Sequence, residues 1–325
     1  MKRRIHKWEV LVMLLIFLGA ERVNAQGCSD AGFCTMGAMK PDQAFNKKVE
    51  LKLRSIEVSY YYGESTSSPI INVANLDASF SITNNLGFQI KLPYQWVTGN
   101  FDNTSGMGDI SLSVTQRLSS SEKYDINATV GMKIPSNDAN LKDSGSKRPS
   151  SKGLPLPMYY QTSLGSYDFV AGGSLISSEW LVAAGIQMAL TANSNEFWRG
   201  EWQPPVYPSS EYVSTYDNAT KLKRGTDIMI RVERNFRFSN YSFNIGLLPI
   251  YRITKDRIAD RTTGEYKKLE GTTGLALTAL TSFTYYFDVS NNVKLSYGKK
   301  LTDRDVNPDG LTRDQVFIVA YGFRF

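Results

Sequence analysis

Strict alternation of apolar and polar residues dominates this chain. In "GDISLSVTQRL", Ile110, Leu112, Val114 and Leu118 fall on one side, and Asp109, Ser111, Ser113, Thr115 and Arg117 on the other. In "YDINATVGMKIP", Tyr124, Ile126, Ala128, Val130 and Met132 oppose Asp125, Asn127, Thr129, Gly131 and Lys133. "TDIMIRVERNFRF" and "YSFNIGLLPIYRI" repeat the pattern. A period of two held over ten or more residues is the signature of a β-strand with one apolar and one polar face. Twelve such strands are predicted, at 49–61, 69–82, 87–97, 107–118, 124–135, 166–176, 180–190, 225–238, 241–253, 272–287, 291–300 and 313–325.

Most of these segments exceed the five or six residues usual in soluble sheets and reach the roughly 9–11 that a tilted strand needs to cross a bilayer. The connections alternate in length. Those at 83–86, 119–123, 177–179, 239–240 and 288–290 are tight, and those at 62–68, 98–106, 136–165, 191–224, 254–271 and 301–312 are mostly long. A soluble sandwich would stack its apolar faces on each other and has no cause to alternate its loops. The pattern predicts an all-β fold: a transmembrane antiparallel up-and-down β-barrel of about 12 strands, with short periplasmic turns and long extracellular loops. Pairing strand one with strand twelve leaves no open edge in lipid.

The two ends of the sequence fit export to such a site. "MKRRIHKWEVLVMLLIFLGAERVNAQ" has a basic start, an apolar run from Val10 to Ala20 and the small-residue pattern Val23-Asn24-Ala25, so 1–25 is expected to be a secretory signal. The chain closes on "YGFRF", with Tyr321, Phe323 and Phe325 alternating. That strand is expected to face outer-membrane lipid and to resemble the aromatic-ended signal read by the barrel assembly machinery. The expected location is the outer membrane of a Gram-negative cell. Residues 26–48 do not alternate and are expected to form a periplasmic tail or a plug inside the barrel; 49–325 are the barrel. In an oxidising compartment Cys28 and Cys34 are expected to form a disulfide.

Composition narrows the function. The formal charge is +6, and half of it sits in the signal, which holds Lys2, Arg3, Arg4, Lys7 and Arg22 against Glu9 and Glu21. No nucleic-acid partner is implied. The single histidine, His6, lies in the signal, so a histidine-based nucleophilic triad is excluded. The chain is expected to be no enzyme and to need no cofactor, which leaves passage or binding of small molecules.

Alternation points eleven charged residues inward: Lys91, Asp109, Arg117, Lys133, Asp227, Arg231, Glu233, Arg237, Arg252, Lys294 and Arg324. Cations exceed anions eight to three among them, which favours anionic solutes in a narrow lumen. The same residues are equally suited to pairing with one another and filling the barrel. The aromatic-rich segment 191–224 is expected chiefly to pack on itself. "DRDVNPDG" supplies Asp305, Asn307 and Asp309, the first half of a calcium loop, but Val316 stands where the bidentate glutamate belongs. A plain turn accounts for it as well.

The segments "GMGDISLSVTQRL" and "YYQTSLGSYDFVAGGSLISSEWLVAAGIQMAL" resemble outer-membrane transporter-like barrels of the phenol meta-pathway degradation type, relatives of the long-chain fatty-acid transporters. Gly106, Gly108 and Asp109, then Lys133-Ile134-Pro135, then Gly165-Ser166-Tyr167-Asp168 carry the likeness, over about 107–190 plus the last strand. The resemblance implies uptake of small hydrophobic or aromatic solutes, in some members past an N-terminal plug. The expected function is therefore an outer-membrane channel or transporter for such solutes. The alternative is a closed barrel with a structural or surface-binding role.

Overall fold

The computed structural model describes residue 36 and residues 52–65, 69–202 and 209–325. Cys28, Cys34, the expected signal and most of 26–48 lie outside the described residues. The strands are β1 (Lys52–Glu64), β2 (Ile70–Ser81), β3 (Leu86–Thr98), β4 (Asn103–Met107), β5 (Ile110–Ser120), β6 (Tyr124–Ile134), β7 (Asp168–Ser177), β8 (Trp180–Ala189), β9 (Asp227–Arg237), β10 (Tyr241–Arg252), β11 (Arg257–Ala259), β12 (Tyr266–Lys268), β13 (Gly274–Tyr286), β14 (Asn291–Thr302) and β15 (Gln315–Arg324).

All but the small hairpin β11–β12 belong to one antiparallel sheet. It closes, because β1 pairs with both β2 and β15, and β2 pairs with both β1 and β3. At the seam the Phe325 amide donates to the Arg54 carbonyl at 2.9 Å. Strands β4 and β5 share one partner: Met107 lies opposite Tyr94, and Ser111 opposite Lys91, on the same β3. They are two halves of a single stave broken at Gly108–Asp109, so the barrel has twelve staves. Segment 98–106, read from sequence as a loop, is thus corrected to a tight turn followed by β4. Beyond the break β4 pairs with β3 alone. The Ser136 hydroxyl and Tyr160 carbonyl engage its Met107 carbonyl and Thr104 hydroxyl at 2.5 and 2.6 Å.

Outward side chains are apolar and uncovered; Val58, Val130 and Val319 are each about half exposed. Burying a side chain of this size is favourable by about 1.5–3 kcal/mol, so a band of them demands hydrocarbon outside. Aromatic rings bound the band at both ends. At the turn end Phe238 stacks on Tyr241, with centroids 4.6 Å apart, and Phe323 meets Phe325 at 4.7 Å. At the loop end Tyr60 and Tyr94 flank Trp96, and Tyr297 meets Phe317 at 4.8 Å. Interfacial rings of this kind mark the two edges of a bilayer.

Four of the five tight turns share one local device. A side-chain oxygen at the head of the turn accepts the backbone N–H groups two and three residues on. Thr83 does so for Asn85 and Leu86, Ser121 for Lys123 and Tyr124, Ser177 for Glu179 and Trp180, and Asp288 for Ser290 and Asn291. Short polar side chains favour turns by this mechanism.

Candidate functional site

The interior is built in layers along the barrel axis. At the turn end a cavity of about 500 Å³ opens to solvent. Inward positions of six strands bring Ser79, Gln89, Arg117, Asn127, Arg237 and Lys294 to its wall, joined by Arg54 and Arg324 at the seam. Lys294 also borders a smaller cavity of about 80 Å³, where Leu280, Val316 and Ile318 join the Arg231–Glu233 pair. In that pair Arg231 Nε donates to Glu233 Oε1 at 2.7 Å.

Midway the lining turns apolar on one arc. Val170, Leu181, Ala183, Met229 and Leu248 point inward and form a buried cluster around Met36. Met36 precedes the first strand by sixteen positions, yet it is only 2% exposed. Its methyl group occupies the space beside Gly131, where an added Cβ would stand 2.7 Å from Met36 Cε. Of segment 26–48, expected to form a periplasmic tail or a plug, Met36 is the one described residue and it is seated in the lumen; the rest lies outside the described residues.

Toward the loop end the lining is charged, and Asp109, Asp168 and Arg252 on the wall each tie down a loop. Asp109, at the break between β4 and β5, accepts the Ser163 hydroxyl at 2.5 Å and the Leu164 amide, with Lys133 Nζ 3.8 Å away. This fixes the loop at 135–167. Asp168 accepts from Arg224, from Gln187 at 2.6 Å and from Ser166 at 2.9 Å, fixing the loop at 190–226. Arg252 is fully buried. It binds Asp227 in a fork at 2.7 and 2.8 Å and reaches Asp256 and Asp309 at 2.8 Å, so it holds the last two long loops at once. Arg304 joins Asp309 at 3.2 Å. Burial pushes the Asp256 carboxyl above the usual range despite Arg252, with Asp309 adding to the rise. Burial acts the same way on Asp309, but the guanidiniums of Arg304, Arg252 and Arg224 outweigh it and hold that carboxyl low.

Over this layer sits an aromatic lid. Phe101 is ringed by Trp202 at 4.5 Å, Tyr216 at 5.1 Å, Tyr160 at 5.4 Å and Phe197 at 6.1 Å. The lid rests on Tyr61, Ile71, Val73 and Val97 of the inner wall. The indole N–H of Trp202 donates to the Pro155 carbonyl at 3.1 Å. Gly310 has φ +67° and a Cβ there would lie 2.5 Å from the Tyr159 nitrogen, so the last loop abuts the 158–160 turn as only glycine permits. Segment 191–224 packs into this lid through Phe197, Trp202, Tyr212 and Tyr216.

Of the charged residues predicted to point inward, Arg231 and Glu233 pair with each other and the rest separate into two groups. Asp109, Lys133, Asp227 and Arg252 are the wall halves of the loop ties, and Lys91 borders a cavity of about 50 Å³ beside Asp109, Lys133 and Arg313. Arg117, Arg237, Lys294 and Arg324 face the open cavity. Sequence reasoning missed the wall half Asp168 and the loop halves Arg224, Asp256 and Arg304, which sit outside or at the edge of any alternating run. The calcium half-loop is not gathered. Asp305 is exposed, Asp309 is buried against guanidiniums, and Asn307 Nδ2 turns to Asp303 at 3.0 Å.

No family model matches the chain, and no curated protein matches it. Many solved structures share its outline. The KdgM porin is 10% identical, with 83% of this chain and 99% of that chain covered at a TM-score of 0.42. The CymD monoaromatic hydrocarbon channel is 11% identical over 94% and 95%, at 0.40. The Pseudomonas putida toluene transporter TodX is 10% identical over 93% and 96%, at 0.42. Overlaps this loose carry no argument about cargo, and the barrel rests on its own closed sheet.

Proposed function

We propose that the chain is an outer-membrane channel for small solutes whose loop end is shut by its own loops. One observation carries the reading: a solvent-open cavity of about 500 Å³, lined by more cations than anions, enters the barrel from the turn end. A barrel built only as a wall has no need of a wet, charged interior. The apolar cluster around Met36 supports a solute with a hydrophobic or aromatic body, as does the resemblance of residues 107–190. The bare apolar band supports lipid of the outer membrane as the surrounding partner. The alternating rings Tyr321 and Phe323 support delivery by the barrel assembly machinery.

The buried lid favours a second reading, a closed barrel with a structural or surface-binding role. Single-channel recording separates the two. The full chain should show rare openings, and a chain carrying Phe101→Ala and Trp202→Ala should conduct far more often. If neither protein ever conducts, and neither admits solute in liposome swelling, the closed barrel is the correct account.

A further inference from the structure

The open cavity at the turn end has an excess of positive charge that the loop ties do not use. Arg54, Arg117, Lys123, Arg237, Lys294 and Arg324 line it, against Glu57, Glu122 and Asp125. Even if every carboxylate there is paired, the described lining keeps three cations more than anions. Neutral donors lie between them, and one is open: the Thr284 hydroxyl is buried on this wall without a hydrogen-bond partner among the described residues. Asp125 likewise leaves one oxygen unpartnered, an acceptor on the same lining.

One side of the cavity is less polar. Ile176, beside the Ser177 turn, belongs to its lining and also packs against the Met36 cluster, while Lys294, across the barrel, is shared with the smaller cavity bordered by Leu280, Val316 and Ile318. A ligand lying here meets guanidinium and ammonium groups on one side and aliphatic side chains on the other. Guanidinium forks match a carboxylate in two-point geometry. Partly enclosed by low-dielectric walls, such charges concentrate anions from solution. A cavity of this volume is in the range that encloses a small organic ligand.

We propose that this vestibule is a binding site for a compact organic carboxylate with an apolar body, such as an arylcarboxylate, entered from the turn end. The proposal deepens the channel reading and rests on it for its purpose, but its test needs no transport.

The test is equilibrium titration of the full chain in detergent with benzoate, benzyl alcohol, acetate and inorganic phosphate. Benzoate should bind saturably, at least about tenfold tighter than benzyl alcohol or acetate, and should weaken as salt is raised. The pair Arg237→Gln with Arg324→Gln should weaken benzoate about tenfold or more while leaving benzyl alcohol unchanged. Lys294→Gln alone should produce a smaller loss and serves as the second variant if the pair fails to fold. Benzoate binding no better than benzyl alcohol, or untouched by these variants, overturns the site. Phosphate or acetate binding as tightly as benzoate overturns its apolar half. A protein that binds benzoate yet never conducts upholds this site and sinks the channel reading; a conducting protein indifferent to benzoate does the reverse.

Discussion

The two ends of this barrel solve opposite problems with the same strands. At the turn end, connections of two to four residues are fixed by their own side chains, as Ser177 and Thr83 show, and leave the lumen open. At the loop end, connections of up to 37 residues, 190–226, are fixed by the opposite wall and by one another. Phe101, Tyr160, Trp202 and Tyr216 come from three different connections and meet in one core. Ion ties anchor that core to strand ends at Asp109, Asp168 and Arg252. The contrast teaches that the wall and its filling are separate structures. The wall needs only its ladder and a bilayer, whereas the lid is a small soluble-type core, with its own buried rings and its own vulnerability.

Trp202→Ala strikes the lid hardest. Removing so large a buried ring should cost about 3–5 kcal/mol. Protease should then cut within 191–224 while heat-modifiable migration, which reports the wall, stays unchanged. Loss of both together breaks the comparison. Arg252→Met comes next, since it leaves Asp227, Asp256 and Asp309 without their shared cation; about 3 kcal/mol of lid stability should go, read by the same cleavage. Met36→Ala empties the space beside Gly131 and should release about 2 kcal/mol of packing, seen as a larger single-channel conductance in a chain whose lid is already loosened.

Asp102→Asn sharpens the contrast with pH. Burial raises the Asp102 carboxyl, but the amides of Ser144 and Asn103 and the hydroxyls of Ser144 and Ser146 lower it more, to a net position below the usual range. Its bonds to the 135–167 loop are therefore complete at neutral pH and are lost as pH falls through the acid range. The variant should cost about 1 kcal/mol at pH 7 and should show less acid-induced cleavage of that loop than the parent. Ser177→Ala, at the other end, should cost about 0.5 kcal/mol and change neither cleavage nor conductance. An effect on the lid from so distant a turn would show that the two ends are coupled after all.

The wall was legible because its rule is local. Asp109, Arg117, Lys133, Asp227 and Arg252 could be placed inward by counting in twos, and the structure puts each on the interior. The start of β4 was not legible: "NTSGM" carries little apolar contrast, and Gly108 breaks the count before Ile110. Asp309 drew notice as half of a metal loop, and the structure spends it on Arg252 and Arg304 instead. Nothing near Arg224 or Asp256 announced a tie, because a loop residue's partner lies dozens of positions away and follows no period.

By itself, then, the sequence determined a ribbon with an oily side and a wet side, folded back on itself eleven times, because the pleat and the turn chemistry act over a few residues. Only the tertiary structure decided what occupies the space the ribbon encloses. Closure brings Met36, four loops and the ends of distant strands within reach, and that meeting of remote segments leaves the barrel wet at one end and filled by a buried core at the other.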